Sequence, residues 1–131
     1  MSIVTDKFTD QDAAEIRAMT DMHLQAVLNH DPDAFLATCT DDITFLPPEQ
    51  PPVVGRVACR RFLENFPTPK TFTAEIDDCE GQANLAFSRG SATAKFEDGT
   101  TTTFKWLGIH RRHLDGSWKI ARDIWNTNSP S

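Results

Sequence analysis

The chemistry open to this 131-residue chain is limited by which reactive side chains it has and how they are spaced. His23, His30, His110 and His113 share no i,i+4 pairing and no cysteine partnership, so a zinc-type metal site is not expected. Cys39, Cys59 and Cys79 form no CxxC pattern, and their odd number and wide spacing point to buried, reduced thiols rather than a disulfide framework. The six glycines are scattered, with no phosphate-cradling loop or dinucleotide fingerprint, and no GxSxG nucleophile motif occurs. No cofactor is implied. Tyrosine is absent altogether.

Composition narrows the partners. The formal charge is −6, and Arg60-Arg61 and Arg111-Arg112 are only short basic pairs, so a phosphate backbone is not an expected ligand. A hydrophobic share of 39% and a charged share of 24% are ordinary for a globular protein, and the length suits one domain spanning 1–131. Met1 to Thr9 has no apolar stretch of signal-peptide length, and no run approaches a membrane span. The expected location is cytoplasmic, with flexible ends at 1–9 and 127–131.

The elements that would position these groups can be read from periodicity. Asp10 to Asn29 is helical: Asp10 or Asp12 can cap, and Ala13, Ile16, Thr20, Leu24, Val27 and Leu28 recur at helical spacing. Projected at about 100° per residue, His23 falls within this stripe and faces inward. His30-Asp31-Pro32 breaks the helix, and a second, short one runs from Asp33 to Cys39. Ile43 to Leu46 is a short strand stopped by a proline-rich loop, Pro47 to Pro52. Gly55 to Phe66 is a third helix, with Val57, Cys59, Phe62, Leu63 and Phe66 as its buried side.

Strands follow: Thr71 to Cys79, Asn84 to Phe96, Thr101 to Leu114 and Trp118 to Asn126, with turn signals at Glu97-Asp98-Gly99-Thr100 and Asp115-Gly116-Ser117. In the last strand, alternation puts Trp118, Ile120, Arg122 and Ile124 on one face and Lys119, Ala121, Asp123 and Trp125 on the other. In the strand before it, Phe104, Trp106, Gly108 and His110 share a face. Apolar groups on both faces imply a sheet covered twice, by helices on one side and by a second copy of the chain on the other, a homodimer.

The order α-α-β-α-β-β-β-β, together with Ala26 to Asp31, Thr40 to Phe45, Pro52-Val-Val-Gly55 and the closing Asp115 to Asn126, resembles the nuclear transport factor 2-like (NTF2-like) superfamily, in its SnoaL-like and ketosteroid-isomerase-like branches. The resemblance covers nearly the whole chain. It implies an α+β cone in which three N-terminal helices pack on a strongly curved, mainly antiparallel sheet around a pocket, commonly with a dimer through the outer sheet face.

Carried over residue by residue, the ketosteroid isomerase pattern places His23 at the oxyanion tyrosine, His110 at the second oxyanion donor and Pro47 at the general base. That chemistry is therefore not expected. The cyclase-like pattern of an acid on the last strand with a histidine on the strand before it falls on Asp123 and His110, a proton-abstraction pair if they lie within hydrogen-bond reach. Trp106 and Trp125 share the pocket parity, and Phe45 and Phe62 are core or pocket wall.

Bland readings stand beside these. His23 reads equally well as a core histidine bonded to a backbone carbonyl, and His110 and Asp123 as partners in a structural hydrogen bond or ion pair, for example with Arg112 or Arg122. Three functions stay open. One is a cofactor-free isomerase, dehydratase or cyclase acting on a small apolar substrate, with Asp123 as base, His110 as relay and His23 as oxyanion donor. Another is a module that binds such a ligand without turning it over. The last is a dimeric association domain, less expected in a chain that reads as a whole protein with nothing attached to assemble.

Overall fold

The computed structural model describes residues 7–128. Helix α1 (Asp10–Leu28) and the one-turn helix α2 (Pro32–Leu36) precede strand β1 (Cys39–Leu46). After them come β2 (Val53–Val54), helix α3 (Arg56–Asn65) and the long strands β3 (Thr71–Gln82), β4 (Leu85–Lys95), β5 (Thr101–Arg112) and β6 (Trp118–Thr127). One six-stranded sheet runs β2-β1-β6-β5-β4-β3. All neighbours are antiparallel except β1 and β6, so the expected α+β architecture stands. The addition is β2, which pairs Val53 with Phe45 and Val54 with Thr44 as the chain returns from the proline loop.

Local chemistry starts each helix. Thr9, rather than Asp10 or Asp12, caps α1: its hydroxyl accepts from the Asp12 amide, and the Asp12 carboxylate accepts in return from the Thr9 amide. A hydroxyl at the cap and an acid three residues on satisfy two otherwise orphaned donors together. Asp31 caps α2, with Pro32 inside its first turn. This helix stops at Leu36, and the residues through Cys39 expected in it turn into β1 instead.

Phe8 packs edge-on against Trp118 with ring centroids 5.7 Å apart, and the Asn128 amide donates to the Thr103 carbonyl. The chain is therefore tied in at both places. Of the flexible ends expected at 1–9 and 127–131, residues 1–6 and 129–131 lie outside the described residues.

Three ladder irregularities curve the sheet: between Cys39 and Thr44 of β1, between Ile76 and Asp78 of β3, and between Ile109 and His110 opposite β6. The last one corrects the simple alternation. Ile109 pairs with Arg122 but His110 pairs with Ile120, so Ala121 is an extra, unpaired residue. A bulge reverses side-chain phase. Trp118 and Ile120 therefore share the inner face with Asp123 and Trp125, not the outer face with Arg122 and Ile124.

The core lies between this concave face and the helices, around Ile16, Met19, Phe35, Leu36, Ile43, Phe45, Cys59 and Ile120. Val57, expected on the buried side of α3, is 76% exposed, because α3 turns Cys59, Phe62 and Leu63 inward instead. On the convex face, Arg111 and Arg122 both pair with Asp42, beside the partly exposed Leu107 and Ile124. No helix among the described residues is long and apolar enough to cross a membrane.

Candidate functional site

A cavity of about 130 Å³ opens between the concave sheet and the helices. Its wall is mostly aromatic, and all seven residues singled out from the sequence line it: His23, His110, Asp123, Trp106, Trp125, Phe45 and Phe62. Phe45, Phe62 and Trp125 pack against one another edge-on, with centroids 5.7 to 5.9 Å apart. This geometry suits ring quadrupoles and fixes the wall on that side.

Small residues on β4 make the hollow. Ala86, Ser88, Gly90, Ala92 and Ala94 alternate along its buried face. Gly90 is required by closeness: a Cβ there would lie 2.1 Å from the Glu75 carbonyl oxygen and 2.6 Å from the Trp106 ring. Trp106, the ladder partner of Gly90, can therefore close over it.

Within this apolar shell the three titratable groups are held differently. His110 is 2% exposed, and its Nε2 meets the Ser88 hydroxyl at 2.8 Å. Its Nδ1 is sealed from solvent and cavity alike, without a partner. Burial holds the imidazole neutral, with a pKa lowered to about 4. The expected relay from Asp123 to His110 is not made, because His110 bonds to Ser88 and has no hydrogen bond to Asp123. Nor does Asp123 pair with an arginine: Arg112 holds Asp12, and Arg122 holds Asp42.

Asp123 projects inward because of the Ala121 bulge and makes no hydrogen bond or ion pair among the described residues. Removing a carboxylate from water without compensation favours its neutral form, and its pKa is raised to about 7. At neutral pH it exists in both protonation states.

His23 extends from α1 and stacks on Phe35, with ring centroids 4.2 Å apart and planes 15° apart. Its Nε2 lies 2.6 Å from the Thr38 hydroxyl, which is in turn 2.7 Å from the Phe35 carbonyl oxygen. Burial first, and the neighbouring His110 second, lower its pKa to about 3. Its Nδ1 makes no hydrogen bond among the described residues and is not fully sealed, and the ring lines the cavity.

Sequence reasoning missed Ser88 and Thr38. Ser88 carried a signal, as the one hydroxyl in the small-residue stripe of β4. Thr38 carried none, lying in what read as helix.

The chain matches the model of the SnoaL-like domain over residues 11–122. No curated protein matches it. Among solved structures it is similar to a ketosteroid isomerase-like protein from Erwinia carotovora atroseptica SCRI1043, with 26% identity and a TM-score of 0.81, covering 93% of this chain and 100% of that one. A protein of unknown function with a cystatin-like fold from Nostoc punctiforme PCC 73102 superposes with a TM-score of 0.84 at 18% identity, covering 95% of this chain and 96% of that one. An NTF2-like protein of unknown function from Pseudomonas putida KT2440 superposes with a TM-score of 0.75 at 20% identity, covering 92% and 89%. With the matched model spanning most of its length and the cone-shaped fold in place, the chain belongs to the SnoaL-like domain family of NTF2-like proteins.

Proposed function

We propose that this protein receives a small, largely apolar organic molecule in its cavity and moves a proton on it without a cofactor, in an isomerisation, dehydration or cyclisation that passes through an enol or enolate. The observation that carries this reading is the Asp123 carboxyl, which lines an aromatic cavity with no hydrogen-bond or ion-pair partner among the described residues and a pKa of about 7. A base that titrates near the working pH, in a largely apolar site, has the driving force that general acid–base catalysis needs. Phe45, Phe62, Trp106 and Trp125 would hold the apolar body, and the last two carry indole N–H groups with no hydrogen-bond partner among the described residues. His110, bonded to Ser88, would shape the floor rather than relay the proton.

The test is deuterium uptake by β-tetralone or cyclohexanone in heavy water, comparing the wild type with Asp123→Asn. Uptake accelerated by the wild type and lost in the variant supports the reading. Equal rates end it for those ketones.

A second reading, binding without turnover, is favoured by one observation. His23 occupies the place where the fold's isomerases carry an oxyanion donor, yet its Nε2 is already engaged by Thr38. A homodimer through the convex face, where Leu107 and Ile124 are part-exposed, belongs to the same proposal, as does a cytoplasmic location suited to the free thiols of Cys39, Cys59 and Cys79. Sedimentation at several concentrations checks the dimer.

A further inference from the structure

The contacts of Thr38 determine which hydrogen-bonding role His23 offers to a ligand. A hydroxyl has one proton. The Thr38 Oγ1 and the Phe35 carbonyl oxygen are 2.7 Å apart, a separation at which two oxygens need a proton between them. The Thr38 proton is therefore spent on Phe35. The 2.6 Å contact between Thr38 Oγ1 and His23 Nε2 needs a proton as well, and it can come only from the imidazole. His23 thus carries its hydrogen on Nε2. As burial keeps the ring neutral, Nδ1 is left as a lone pair.

The other polar atoms sharpen the point. Of the four ring nitrogens on the cavity histidines, His23 Nε2 and His110 Nε2 are bonded and His110 Nδ1 is sealed. Among the described residues, His23 Nδ1 is the one neither bonded nor sealed. The Thr20 hydroxyl, also on the wall, is turned back to the Ile16 carbonyl.

We propose that His23 Nδ1 is a hydrogen-bond acceptor in the cavity, held so by Thr38, and that the cavity selects neutral molecules presenting a hydroxyl donor on an apolar ring: a phenol, an alicyclic alcohol or an enol. This narrows the substrate class of the site described above, a ketone meeting the acceptor only in its enol form, and rests on the reading that the cavity receives a ligand. A ligand lacking the donor leaves a buried lone pair unpaired, the kind of mismatch that polar sites reject most strongly. Thr38 acts as a positioning residue, touching His23 rather than the ligand.

Two measurements test it. Long-range nitrogen-15 NMR of the wild-type protein reports the tautomer directly. A pyridine-type Nδ1 and a pyrrole-type Nε2 on His23 are expected, and the reverse assignment overturns the proposal. Phenol and its methyl ether, anisole, are then titrated against the protein by NMR. The expected result is phenol binding at least about tenfold tighter. In Thr38→Val, which frees the ring to change tautomer, the preference should shrink, and Thr38→Ser should restore it. Equal affinity of the two probes for the wild type, or an unchanged preference in Thr38→Val, overturns the proposal.

Binding of neither probe also overturns the ligand class. Loss of the ketone exchange described above would then show whether the proton-transfer reading fails with it. Retained exchange with no phenol preference sinks the acceptor role of His23 alone.

Discussion

Asp123 stands across the β5–β6 ladder from Gly108, not from His110. Ser88 faces Gly108 from the opposite side, so a glycine lies between the carboxyl and the hydroxyl along the inner face. His110, two residues along β5, lays its Nε2 3.2 Å from where a Gly108 side chain would begin, and there it meets Ser88. The space left by an absent side chain is what turns the imidazole toward the serine.

Gly108→Ala should therefore disturb the site more than the fold. The added methyl would lie 3.2 to 3.3 Å from His110 Nε2, Ile120 Cδ1 and Ser88 Oγ, all side-chain atoms that can yield. The expected cost is about 1–2 kcal/mol, with the His110 ring resonances displaced in NMR. Gly90→Ala is the contrast. Its methyl would meet the Glu75 carbonyl oxygen at 2.1 Å, and backbone cannot swing aside, so denaturation should show a loss of roughly 3 kcal/mol or more.

Asp123→Asn should stabilise the protein above neutrality. Asp123 titrates at about 7 in the fold against a model value of 3.8, so the folded state holds a proton that the unfolded state has released. Its contribution to stability falls as pH rises from 3.8 to about 7 and is flat beyond. Removing the ionisable group lifts that cost, on the order of 4 kcal/mol at pH 8, with the gap closing as pH falls toward 4. Urea denaturation at both pH values measures it. An unchanged gap would mean that the carboxylate is hydrated in the fold.

The two cavity histidines act with the opposite sign. Both are neutral in the fold down to about 3 and about 4, whereas the unfolded chain protonates them near 6.5. The stability they contribute is complete above 6.5 and is lost as pH falls toward those folded values. Near pH 5, unfolding should take up roughly two protons on the histidines and release one from Asp123, a net uptake of about one, rising to about two in Asp123→Asn. The pH slope of the unfolding free energy reads this number.

Asp12→Ala should be the costliest change at the start of α1. Its carboxylate completes the Thr9 capping box, pairs through both oxygens with Arg112 and accepts the Trp118 indole N–H. Arg112 also lies 4.7 Å over the Trp118 ring. Leaving that largely buried guanidinium without its carboxylate, held only by the Ala83 carbonyl, should cost about 3 kcal/mol, against about 1 kcal/mol for Thr9→Ala, where only the cap is lost. Thermal melts followed by tryptophan fluorescence distinguish the two.

Much of this was legible in the sequence because periodicity survives without coordinates. The helical stripe turned His23 inward, and alternation in β5 put Trp106 and His110 on one face. What failed had physical causes. One unpaired residue, Ala121, reverses the phase of β6, and alternation cannot register an insertion that leaves no gap in the text. Asp123 and Trp125 were assigned the correct face, but Trp118 and Ile120 were not. The expected Asp123–His110 bond failed because facing the same hollow does not fix where a ring points, and Ser88 with Gly108 decided that. Thr38, which governs His23, lay in a segment that read as helix and forms the approach to β1.

The Asp12 cluster has a consequence for how the molecule assembles. The acid that helps to launch α1 joins Arg112 and Trp118, 100 and 106 positions further along. Such distant pairings close slowly, because the loop entropy is spent before the contact forms. The first helix thus gains its full set of contacts only once the final hairpin is in place.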